Sequence, residues 1–151
     1  MYRYIKAMSE ERRTIHNRLV DRSDVINEHI IKLLLFPDSS DRDHWKQEIV
    51  NALPRIQKMK GTNKFPSASF IQEGLSTFND SVSSYIRTIE DDYRTLSPVP
   101  VGQRDIVRAL QWYQSYLAKE LSKNGSILRT EAYFILDDIV STYSKKGGSA
   151  Q

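Results

Sequence analysis

With 151 residues the chain is about one domain long. A chain of that size buries roughly two-thirds of the surface its unfolded form exposes, so neither metal nor disulfide is needed to hold a core. It contains no cysteine, which excludes disulfide frameworks, thiolate zinc sites, iron–sulfur clusters and cysteine nucleophiles. The net charge of +3 is spread as −3 over residues 65–99 and +2 over each of 1–36, 37–64 and 100–151, a mildly polarised surface rather than the basic stripe of a committed nucleic-acid binder.

Apolar residues recur with helical spacing along nearly the whole chain. Ser9-Glu10-Glu11 and Ser23-Asp24 are both helix-start signals, each offering a side-chain acceptor and negative charge at the positive end of a helix. They predict either two helices or one long helix over about 9–35, with Val25, Ile26, Ile30, Leu33 and Leu34 on its apolar side. Phe36-Pro37 breaks it, because the residue before proline is driven out of helical geometry. Asp41 is placed to cap a third helix carrying Trp45, Ile49, Ala52, Leu53 and Ile56, which Pro54 is expected to kink or split.

Gly61–Pro66 reads as a loop, and Ser67 as the cap of a helix bearing Phe70, Ile71 and Leu75. The pattern weakens over 76–80 and resumes at Val82, Tyr85, Ile86, Ile89 and Tyr93. After the proline-rich segment 97–102, Ile106, Leu110, Tyr113, Leu117 and Leu121 mark a helix over about 103–123, stopped at Asn124-Gly125. Ala132, Ile135, Leu136, Ile139, Val140 and Tyr143 mark the last, over about 130–144 with Thr130 as its cap, packed antiparallel on the helix before it. No period-two strand pattern persists. The expected fold is all-α: a single-domain bundle of five to seven helices over 3–144, followed by a disordered basic tail, 145–151. No secretion signal is visible at the start, and uninterrupted apolar runs such as Leu33–Phe36 are far short of the ~20 residues a bilayer requires. A soluble cytoplasmic protein is expected.

Chemistry-bearing residues are sparse. The histidines are His16, His29 and His44; His44 and Glu48 share a helix face, but no metal-binding motif is present, and no metal or cofactor is expected. Arg55, Lys58, Lys60 and Lys64 form a basic stretch without acidic or aromatic interruption; it reads as a solvated helix end or, alternatively, as a phosphate contact without base stacking. Trp112 and Tyr116 flank the core stripe of their helix, where partly exposed aromatic side chains either widen a buried face or anchor a partner. The leading expectation is a non-enzymatic interaction module that binds a protein or a second copy of itself at Trp112 and Tyr116, with nucleic-acid binding as the alternative and no membrane contact.

Two resemblances add to this. Arg22 and His29 are spaced as in the loose arginine–histidine pattern of the helical HEPN ribonucleases. That likeness implies, as a further alternative, RNA cleavage with Arg22 on the phosphate and His29 as acid–base. His29-Ile-Ile-Lys32, Pro37, Trp45 and Ile49 are together similar to a bacterial helical family known as domain of unknown function twenty-nine, over residues 29–49. It departs at Leu33, where that family often has tryptophan. This resemblance implies an all-α fold and no particular activity, and it singles out His29, Lys32, Pro37 and Trp45.

Overall fold

The computed structural model describes residues 24–60, 77–122 and 129–144, which form α-helices packed together with no strand among them. The expected helix at 67–75, the loop at 61–66, the stop at Asn124-Gly125 and the tail 145–151 lie outside the described residues, as do positions 9–23, so the choice between two helices and one long helix over 9–35 falls outside them as well.

Helix α1 (24–35) runs through the middle of the packing. Ile26, Asn27, Ile30, Ile31, Leu33, Leu34 and Leu35 are all buried, more than half of the helix circumference, as a helix surrounded by others requires. Only Asp24, Val25, Glu28, His29 and Lys32 reach solvent. Pro37 ends the helix as expected, and a turn follows in which Ser39 N–H donates to the Phe36 carbonyl (3.1 Å).

Helix α2 (Arg42–Lys60) starts where the sequence indicates. The Asp41 carbonyl accepts the first bond, from Trp45 N–H, at 3.0 Å, and Asp41 N–H is held by Ser39 Oγ. The expected split at Pro54 does not occur: α2 continues through it as one 19-residue element. A proline at that position removes one backbone donor from the helix. Burial of Trp45, Ile49, Val50 and Leu53 along the preceding turns offsets that cost.

A 3-10 turn, Thr77–Ser81, supplies the weakened pattern before α3 (Val82–Asp92). Its Phe78 stacks on Tyr85, ring centres 4.1 Å apart. Beyond α3, the Tyr93 ring meets Trp45 edge-on at 5.5 Å and Phe36 at 5.6 Å, with the Lys32 ammonium 5.6 Å from its centroid. One tyrosine thus joins α1, α2 and the end of α3.

Helix α4 (Gln103–Ser122) packs against α3 and α5 (Arg129–Tyr143), and α5 also packs against α2. Trp112 meets Tyr143 near the end of α5, whereas Tyr116, one turn further along α4, lies in the field of Glu131 near its beginning. The two helices therefore run antiparallel. Helix α5 begins at Arg129, so Thr130 sits inside the first turn and is not the cap expected of it. The Arg129 guanidinium donates to Asn51 Oδ1 of α2, which holds that extra residue in place. No helix among the described residues is long and apolar enough to cross a membrane.

Candidate interaction surface

The aromatic pair expected at the edge of the α4 stripe is placed differently. Tyr116 is 9 % exposed and belongs to the core, and Trp112 is half-buried with its ring edge-on to Tyr143 at 6.2 Å. The expectation of two partly exposed rings is corrected for Tyr116. Helices α3 and α5 both pack on α4, so the buried arc widens past the stripe to take in Gln114, Tyr116 and Ala118. The Tyr113 and Tyr116 hydroxyls are buried without a hydrogen-bond partner among the described residues.

The side chains of Arg55, Lys58 and Lys60, and the whole of Lys64, lie outside the described residues, as does Arg22. His29 is half-buried on α1, and its Nδ1 donates to the Val25 carbonyl at 2.7 Å. That bond puts the ring proton on Nδ1 and leaves Nε2 as an acceptor. Desolvation lowers the His29 pKa below 6.5, with Lys32 and His44 acting in the same direction and the Val25 bond and Glu48 against it. His29 and the α2 pair therefore lie within electrostatic reach of each other. The α2 pair itself forms, His44 Nε2 lying 3.8 Å from Glu48 Oε1, with both side chains well exposed. Among the described residues no three histidine or carboxylate side chains are grouped so as to hold a metal ion.

Beside His29 and Lys32 on the same face of α1, Glu28 is pushed up by burial and by Asp92, against the pull of Lys32. His29, Lys32 and Glu28 thus form a band of mixed charge between α2 and α3, solvated on one side and backed by Tyr93. Its alternation of sign supplies no continuous positive track for a phosphate chain.

Two open clefts flank the end of α1. One, of about 190 Å³, lies between the 35–39 turn and Leu96, Ser97 and Val99. The other, of about 280 Å³, has Leu33, Pro37 and Val140 as apolar floor and Arg42, Lys46 and Asp137 among its polar wall residues. Lys46 is paired with Asp137 across that cleft, and Arg42 with its neighbour Asp43. Its cations are therefore already compensated.

The outer side of α5 is different. Phe134 is 63 % exposed, the most exposed of the large apolar residues described, although its helix buries Ala132, Leu136 and Ile139 and half-buries Ile135, Val140 and Tyr143. Glu131, one turn before it, and Asp138, one turn after it, are also exposed. Among the described residues no cation lies within ion-pairing distance of either. Asp137 on the flank is taken up by Lys46. Sequence reading passes Phe134 by because it falls outside the buried stripe. That position is itself the usable signal: an aromatic residue where helical periodicity demands a polar one.

Comparison with family models, with curated proteins and with solved structures gives no match. The likeness over residues 29–49 accordingly carries no family assignment, and what stands of it is the all-helical fold. Its marked residues have structural places: Trp45 and Pro37 are buried, Lys32 covers Tyr93, and His29 bonds the Val25 carbonyl of its own helix.

Proposed function

We propose that this chain is a non-enzymatic helical module that binds another protein through the outer face of α5, with Phe134 as the anchor. The exposed Phe134 ring on a helix braced from behind is the observation that carries this reading. An aromatic side chain held on a rigid element loses little conformational freedom on binding and buries about 150–250 Å² when covered, which is why such residues dominate interface energetics. The bracing is specific: α5 packs on α4 and α2, Arg129 is tied to Asn51, and Lys46 to Asp137. This moves the anchor from Trp112 and Tyr116 to the neighbouring helix while keeping the same kind of function.

The test compares the full chain with Phe134→Asp and with Val25→Asp, a control at another exposed apolar residue. A protein that co-purifies with the wild-type chain is itself purified and titrated calorimetrically against all three. One-to-one binding that is lost in Phe134→Asp and kept in Val25→Asp supports the reading. Binding that survives Phe134→Asp removes α5 from it. Salt-sensitive retention of RNA or DNA in place of a protein would instead favour the basic stretch Arg55, Lys58, Lys60 and Lys64.

A further inference from the structure

Glu131, Phe134 and Asp138 lie at positions i, i+3 and i+7 of one helix, so they form a single stripe about 10 Å long, carboxylate–ring–carboxylate. The charge at the far end of this stripe, Asp138, runs against the helix that carries it, whereas Glu131 lies in the first turn, where the helix dipole favours a carboxylate. Carboxylates are favoured near a helix N-terminus and disfavoured towards its C-terminus; Asp137 and Asp138 sit in the second half of α5, and its last turn holds no basic residue. Lys46 relieves Asp137 alone. The stripe therefore has an apolar centre and two acidic ends, neither paired with a cationic side chain among the described residues, and the Asp138 end also lacks support from the helix dipole.

We infer that the partner of this face is a basic amphipathic helix, one that lies along α5, covers Phe134 with aliphatic side chains and places a lysine or arginine opposite each of Glu131 and Asp138. This rests on α5 being the docking face and adds the chemistry of what docks. Cations spaced seven residues apart on a facing helix match the span of the two carboxylates, and apolar residues between them meet the ring. Complementary charge at the ends fixes register and rejects acidic partners, while burial of the ring supplies affinity. An anionic membrane surface or a phosphate backbone is repelled by the same two carboxylates.

The probe is a fluorescein-labelled helical peptide with leucines on one face and lysines at matching seven-residue spacing, titrated against the full chain by anisotropy. Phe134→Ala and the double variant Glu131→Lys/Asp138→Lys should each weaken binding about tenfold or more, a loss of ~1.4 kcal/mol or more. A peptide with glutamates in place of the lysines should bind the double variant and not the wild type. Circular dichroism and melting temperature confirm that these exposed substitutions leave the fold intact. If Phe134→Ala weakens binding but the charge reversals and the glutamate peptide make no difference, α5 remains a docking face and the basic partner is wrong. If none of the substitutions changes the affinity, the docking face falls as well.

Discussion

The Ser144 hydroxyl donates a 2.6 Å hydrogen bond to the carbonyl of Leu34, 110 residues earlier in the chain. Both groups are buried, and the contact fastens the end of α5 to the end of α1. The next carbonyl of α1, that of Leu35, accepts the Val99 N–H at 2.8 Å from the segment linking α3 to α4. A helix leaves its last carbonyls without intrahelical partners, and Pro37 prevents α1 from continuing to supply them. Two distant segments do so instead, which allows the end of this buried helix to remain away from water.

Ser144→Ala should therefore cost more than an average serine substitution. It leaves the Leu34 carbonyl buried and unpaired, a loss of about 1–3 kcal/mol. Urea denaturation of the two proteins measures it. Ser144→Thr, which retains the donor, should recover part of the loss. A stability change of Ser144→Ala indistinguishable from zero would show that water replaces the hydroxyl.

Gln114 is the most deeply buried polar side chain of α4, and its amide pairs reciprocally with that of Asn79: Gln114 Nε2 donates to Asn79 Oδ1 at 3.1 Å, and Asn79 Nδ2 to Gln114 Oε1 at 3.3 Å. This pair joins the 3-10 turn to α4. Gln114→Ala and Asn79→Ala should each destabilise, and the double variant should lose less than their sum by about 0.5–3 kcal/mol, the coupling of two groups in one contact. Additive losses in a denaturation cycle would show that the amides do not act as a pair.

The helices were legible in the sequence because burial on one side writes a period into the apolar residues. Ile106, Leu110, Tyr113 and Leu117 are all buried where α4 was expected, and Ala132, Leu136 and Ile139 where α5 was. Three things were not legible. The continuity of α2 through Pro54 depends on packing partners outside the helix. The depth of Tyr116 depends on tertiary packing against α4, with Glu131 of α5 close by, which no pattern local to α4 records. How far Phe134 stands out depends on which side of α5 is covered, although its departure from the apolar stripe is visible in the sequence. The proximity of His29 to His44 and Glu48 follows from a fold-back at Pro37, whose break in the helix the sequence does mark.

His29 should make the protein less stable in mild acid. Burial holds its folded pKa below the ordinary 6.5, with Lys32 on its own helix and His44 on α2 acting the same way and Glu48 opposing. The folded state therefore binds fewer protons than the unfolded state in this range. The stabilisation is complete above about pH 6.5 and is lost as pH falls through the folded pKa. Unfolding free energies measured between about pH 7.5 and 5 should decline for the wild type and decline less for His29→Gln. The imidazole resonances of His29 should titrate below 6.5 by NMR; a midpoint at or above that value would show that Glu48 and the Val25 carbonyl outweigh burial.

The two buried phenols of α4 predict the opposite pH dependence. Burial raises the pKa of Tyr113 well beyond the ordinary phenol range, helped by neighbouring Tyr116; Tyr116 is pushed up to about 12 by burial and by the carboxylates of Glu131 and Glu120. A raised folded pKa means that the neutral form is the one the fold favours. The stability Tyr116 contributes is therefore fully present below pH 10, the unfolded value, and is lost as pH rises towards about 12. Tyr116→Phe removes that loss, so its alkaline unfolding midpoint should lie above that of the wild type. At neutral pH the same substitution, and Tyr113→Phe, deletes a buried hydroxyl that has no partner among the described residues. Each should leave stability unchanged or raise it by up to about 1 kcal/mol, where loss of a satisfied hydroxyl would lower it by a similar amount. Guanidinium denaturation at pH 7 separates the two signs, and a fall of about 1 kcal/mol in either variant would show that its hydroxyl has a partner in solution.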